Sequence, residues 1–145
     1  MLLVVHAALT WGLVGLILTV QLVHYPLFSR VGTAGYAAYQ QAHVTRVTWL
    51  AAPLMLAELA TGAALVVGPP PFVPAASAGL GLALIALIWL STALVQSPAH
   101  HRLAAGFDAA WHARLVTTNW GRTLLWLTRG VLVGWWLLLA GEAPR

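Results

Sequence analysis

The chain has 145 residues, 61% of them apolar and only 7% charged, which allows one domain and places it with membrane proteins rather than soluble globular folds. Cysteine is absent, so disulfides, thiolate nucleophiles and Cys-ligated zinc or iron–sulfur centres are excluded, and any metal would depend on His, carboxylate or backbone ligands. All seven basic residues are arginines and the formal charge is +4, but they lie scattered at helix ends and form no nucleic-acid module, so no nucleic acid is expected as a partner.

Leu2 to Val23 is an apolar run softened by His6, Thr10, Thr19 and Gln21, and it meets the roughly 20 residues needed to cross a bilayer. No arginine precedes it, and the first is Arg30, so it reads as an uncleaved first span rather than a signal peptide. Pro26 biases Tyr25 away from helical geometry and predicts an end to this helix near Phe28. Arg30, Gly32 and Gly35 mark a short connection. Tyr36, Tyr39, Gln40, His43 and Val47 then recur at helical spacing. A helix over 35–67 would reach roughly 50 Å, so its first turns should project beyond the hydrocarbon.

Gly68-Pro69-Pro70-Pro71-Phe72-Val73-Pro74 is an uncharged breaker that supplies a tight connection between antiparallel helices. A third helix over 75–97 is the most purely apolar. The fourth is expected over 98–140, with a break near Asn119, a residue placed as either a cap or a hinge. The expected architecture is therefore an all-α integral membrane four-helix bundle, over about 2–28, 35–67, 75–97 and 98–140. Its second and fourth helices extend beyond the membrane on the cytoplasmic side. Eight tryptophans are present, and Trp49, Trp111, Trp120 and Trp136 fall near predicted interfaces, where indole prefers to lie.

Arg30, Arg46, Arg102, Arg114 and Arg122 flank one side of the spans, whereas the other has the terminal Arg145 offset by Glu142. The positive-inside rule makes the Arg-rich side cytoplasmic, with both termini outside a bacterial inner membrane. His24, His43, His100, His101 and His112 then share the cytoplasmic end, and His6 alone is opposite.

Polar chemistry concentrates in Gln96 to Arg122. Ser97-Pro98 is a good helix start. Counting on at about 100° per residue puts His101, Asp108 and His112 within roughly 80° of one another. His24, His43, His101 and His112, with Asp108 as ligand or orienting carboxylate, are the candidate set for a transition metal or haem b. The bland alternative is a hydrated interfacial surface. His100 points off the shared face and reads as a surface residue. Glu58 and Arg129 lie near the middle of their spans. A lone charge there costs at least ~2.5–3.5 kcal/mol, so the two are expected to pair. The pair would act as a structural tie between the second and fourth helices or as a proton or ligand contact.

The strings TWGLVGLILTVQLVHYPLF, YQQAHVTRVT with PLMLAELAT, and NWGRTLLWLTRG resemble an uncharacterised family of small bacterial four-helix membrane proteins, marked by its HYP and NWxRT motifs. The proline closing the first helix and the Asn…Arg pattern entering the fourth are similar to the anthrone-oxygenase-like membrane proteins, a resemblance that implies oxidation chemistry. His6, Trp11 and Gly15-Leu16 echo the first helix of the small haem-binding protoporphyrinogen oxidases, without their Pro-Arg-Leu-Phe and following His. Two functions from different classes are thus expected. One is a metal- or haem-binding oxidoreductase acting on an apolar small molecule that enters from the lipid bilayer. The other is a non-enzymatic membrane component: an assembly subunit, a small-molecule carrier or a structural bundle. Either is compatible with a homo-oligomer.

Overall fold

Four helices, each long and apolar enough to cross a membrane, carry the chain: α1 (Leu2–Arg30), α2 (Tyr36–Val67), α3 (Ala75–Leu103) and α4 (Ala109–Glu142). The computed structural model describes residues 1–143, so Arg145, the arginine assigned to the opposite end, lies outside the described residues. The helices run up and down in a square, α1 and α3 each packing against both α2 and α4. The all-helical bundle is the architecture expected from the hydropathy pattern, and the described residues contain no strand. The start of α1 and the end of α4 share one end, the terminal end. The other, the histidine end, gathers the close of α1, the start of α2, the close of α3 and the start of α4.

Along α1 the buried residues Leu3, His6, Ala7, Thr10, Leu13, Val14 and Ile17 recur at three- and four-residue steps. Such a stripe faces the bundle axis, and the apolar positions between point outward. Close approach depends on two glycines. A methyl group at Gly81 would lie 2.9 Å from the Trp136 ring and 3.1 Å from Arg129 Nη1, and one at Gly62 would lie 2.7 Å from Ile85 Cδ1. Small residues at helix interfaces are how bundles in lipid bring backbones together.

Two boundaries differ from the sequence expectation. Pro26 does not close the first helix. Val20–His24 forms one π-helical turn, in which the Tyr25 amide donates to Val20 O, and Tyr25 itself is helical at φ −64°, ψ −45°. The wider turn resets the register so that Pro26 sits at the first positions of a new α turn, where its missing N–H removes no bond. The same device recurs in α3. Thr92–Gln96 is a π turn, the Ser97 amide donates to Thr92 O, and Pro98 opens the turn that follows. Helix α3 therefore runs on to Leu103 instead of ending at 97.

The chain leaves helical geometry at residues 104–108, not at Asn119. Gly106, at φ +151°, takes a conformation closed to most side chains. Asp108 is extended and accepts a 2.9 Å hydrogen bond from the Trp111 amide, capping α4. Helix α4 then runs unbroken past Asn119, whose side chain is buried within the bundle.

Candidate functional site

Two polar networks lie inside the bundle, one in each half. The network of the terminal half centres on Arg129, which is fully buried. Its Nε and Nη2 donate to Glu58 Oε1 at 3.1 and 3.0 Å, and Nη1 donates to Gly81 O at 2.8 Å. Nη2 also reaches His6 Nε2 at 2.7 Å and Thr10 Oγ1 at 3.4 Å. Thr10 in turn donates to Glu58 Oε1 at 2.8 Å. A guanidinium only donates, so His6 Nε2 accepts, and the proton of a neutral ring sits on Nδ1. That proton faces Thr61 Oγ1 at 2.7 Å, and the Thr61 hydroxyl passes its own to Ala57 O at 2.8 Å. Glu58 and Arg129 thus meet as a buried ion pair, and the guanidinium ties together all four helices.

Leu13, Val14, Ile17, Met55, Ile88 and Trp126, all buried in one cluster, separate this knot from the second network. In the histidine half, Gln21 Nε2 donates to Val116 O at 3.2 Å and its Oε1 accepts from Asn119 Nδ2 at 2.7 Å. Asn119 Oδ1 accepts from Arg122 Nε at 3.0 Å. Arg122 then extends Nη1 to Thr92 Oγ1 (3.2 Å) and Nη2 to the Tyr25 hydroxyl (3.5 Å). The Tyr25 hydroxyl lies 2.8 Å from His100 Nε2, and Gln40 Nε2 donates to His100 Nδ1 at 2.7 Å. With the Gln40 amide in this orientation, His100 carries its proton on Nε2 and gives it to Tyr25. The tyrosine oxygen accepts from both sides and its own proton finds no protein acceptor.

This half is the incompletely satisfied one. Among the described residues the buried side-chain polar atoms without a protein partner are Tyr36 Oη, Gln40 Oε1, His43 Nε2 and Gln96 Nε2, all of them near this end. Buried polar groups are rarely left this way, because each lost bond costs about 1–3 kcal/mol. It is also the hollow half. A cleft of about 510 Å³ opens between α2 and α3, in the size range of pockets for small organic molecules. Its back wall is Leu13, Ile17, Val20, Met55 and Trp126, and its polar end is Tyr25, Thr92, Gln96, His100 and Arg122. Exposed residues such as Thr45 and Thr48 on α2, Ser97 on α3 and Ala104 just after it form the rim, so the opening faces sideways between two helices. A second hollow of about 300 Å³, lined by His24, Tyr39, His43 and Arg46 among others, lies on the α1 side of α2.

The expected imidazole set is only partly assembled. His24 and His43 lie with ring centroids 5.6 Å apart, and His43 lies 5.8 Å from His100. His101 is exposed at the cleft rim. His112 donates Nε2–H to the Tyr25 carbonyl at 2.7 Å and packs beside Phe28 and Phe107. Asp108 caps its own helix. The shared face proposed for His101, Asp108 and His112 does not exist, because residues 104–108 interrupt the helix on which it was counted. His100, read from sequence as a surface residue, is the imidazole at the centre of the network. Among the described residues no three His, Asp or Glu side chains gather as metal ligands. Arg102 and Arg114 both stack on Trp111, at 5.7 and 5.0 Å from its ring centre, while Arg122 turns inward.

No protein-family model, curated protein or solved structure matches the chain.

The buried pair predicts an asymmetry in stability. Glu58→Leu strands Arg129 against neutral acceptors, and Arg129→Leu strands Glu58, each costing about 3–5 kcal/mol. The double variant loses less than either single one. Thermal unfolding in detergent measures this, and single variants as stable as the parent would show that the pair does not hold the bundle.

Proposed function

We propose that this chain is a multi-pass protein of the bacterial inner membrane that takes an apolar small molecule from the bilayer into the cleft between α2 and α3, on the cytoplasmic side. One observation carries the reading. The hollow, sideways opening and the unsatisfied polar groups coincide in one half of the bundle, while the Arg129 network of the other half is internally paired. The back wall of the cleft, Leu13, Ile17, Val20, Met55 and Trp126, presents apolar side chains to a space that no part of the protein fills, and they gain dispersion contacts when a ligand occupies it. A ligand with an apolar body and a polar tip restores both the contacts and the hydrogen bonds.

Binding is the step this geometry supports, which suits a carrier or the substrate pocket of an enzyme. Oxidoreductase chemistry with a transition metal or haem b draws on less. Its remaining support is the position of His43 beside His24 on one side and His100 on the other, and its unpaired Nε2.

The orientation rests on arginine. Arg30, Arg46, Arg102, Arg114 and Arg122 belong to the histidine end, which the positive-inside rule makes cytoplasmic, leaving both termini outside. Reporter fusions after Arg30 and after Gly68 are expected to read cytoplasm and exterior respectively. The reverse result would place the cleft on the outer side.

Trp89 and Trp126 line the cleft and report on its contents. In nanodiscs, dibrominated long-chain lipophiles are expected to quench a saturable part of the tryptophan fluorescence. Ala52→Phe, which puts a ring into the cleft from α2, should weaken that binding about tenfold or more with little change in melting temperature. Quenching that never saturates, or that is indifferent to Ala52→Phe, would contradict binding in the cleft.

A further inference from the structure

The polar end of the cleft has a one-sided chemistry that points to the head group of its ligand. Arg122 carries a full positive charge, and its partners are all neutral: Asn119 Oδ1, Thr92 Oγ1 and the Tyr25 hydroxyl. Among the described residues the one carboxylate–arginine contact is Glu58–Arg129 in the other half of the bundle. Asp108 is engaged in capping α4, and Glu142 lies at the far end of the same helix. Arg122 is partly shielded from solvent at the histidine end of α4, and a guanidinium there without a counter-charge is open to an anionic ligand.

The groups beside it lack the same thing. Gln96 is 1% exposed, its Oε1 is occupied by the Ser91 hydroxyl at 3.0 Å, and its Nε2 has no partner. With the Gln40 amide nitrogen on His100 Nδ1, the Tyr25 hydroxyl accepts from His100 Nε2 and Arg122 Nη2 and has a proton to give. All three residues line the cleft. Three sets of donors, one of them cationic, therefore line the same end of the cleft, and Gln96 Nε2 among them has no protein acceptor. The missing component is an oxygen-rich anion.

We propose that the cleft binds a single-chain lipophilic carboxylate, with its carboxylate against Arg122, Gln96 and Tyr25 and its hydrocarbon against the Leu13, Ile17, Met55 and Trp126 wall. A planar carboxylate matches the fork of a guanidinium and can accept from several donors at once. A neutral alcohol or ester leaves the arginine charge unmatched. This inference rests on the cleft being a ligand site, and it adds the chemical class of the ligand.

The test compares three probes in nanodiscs of zwitterionic lipid: a dibrominated long-chain fatty acid, the matching alcohol, and a phosphatidylglycerol brominated in its chains. Saturable tryptophan quenching reads affinity. The protein is expected to bind the acid at least about tenfold more tightly than the alcohol, the size of one charge-assisted hydrogen bond. The anionic phospholipid, which brings two chains, should compete weakly. Arg122→Gln should remove the preference for the acid while leaving the alcohol's affinity within about twofold, and Arg122→Lys should restore part of it. Equal binding of acid and alcohol by the parent protein, a preference that survives Arg122→Gln, or a phospholipid as tight as the acid would each overturn the assignment. The comparison of acid and alcohol on the parent protein stands even where Arg122→Gln does not fold. Absence of saturable quenching by any probe would instead remove the cleft-binding reading beneath it.

Discussion

The guanidinium of Arg129 is the contact on which the rest of the bundle depends. In an apolar surround, helices gain little from hydrophobic association, and what fixes their register is packing and the need to satisfy polar groups. Arg129 meets that need in four directions at once: Glu58 from α2, His6 and Thr10 from α1, and the Gly81 carbonyl from α3. Each partner is specific in kind. Glu58 supplies the counter-charge, His6 supplies an acceptor nitrogen only in one tautomer, and Gly81 exposes its carbonyl because it has no side chain in the way. Moving any helix by a turn would separate the pair and leave two buried charges without partners, a change far more costly than the loss of a surface ion pair.

A lock confined to one half leaves the other half free to differ. Toward the histidine end, α2 is flanked by hollows on both sides, and its inward Tyr36, Gln40 and His43 each carry an atom without a partner. Pro53 sits inside α2 just below Glu58, at the boundary between the tied and untied parts. Proline removes one backbone hydrogen bond at that point and is a common place for a helix to bend. The arrangement gives the cleft a rigid back wall of α1 and α4, cross-linked through Gln21, Asn119 and Arg122. Its front wall, the first half of α2, is held by fewer bonds.

Much of this was legible in the sequence, and the reasons are specific. Hydropathy alone located four spans, and the scarcity of acids made Glu58 and Arg129 candidates for one another. What could not be read were the two π turns. Each adds a residue to a helical turn without any change in composition, and each allows Pro26 or Pro98 to pass where proline rules predict a boundary. That one-residue change rotates everything after it. Gln96, closing the second π turn, faces inward, whereas the face counted onward from Ser97 for His101, Asp108 and His112 fails at the interruption over 104–108. Gly106 and Asp108 are a stop and a start signal, but a polar stretch with apolar residues on either side reads equally well as one continuous helix. Asn119 was misread for a related reason: a buried amide bonded to Gln21, 98 positions away, leaves no local trace.

Native-state hydrogen exchange of the purified protein bears most directly on the account. If the Arg129 knot closes one half and leaves α2 weakly held in the other, amides of residues 40–50 should exchange far faster than those of residues 57–66 in the same helix, and filling the cleft should slow the first group alone. Uniform protection along α2, or slower exchange in its first half, would contradict it.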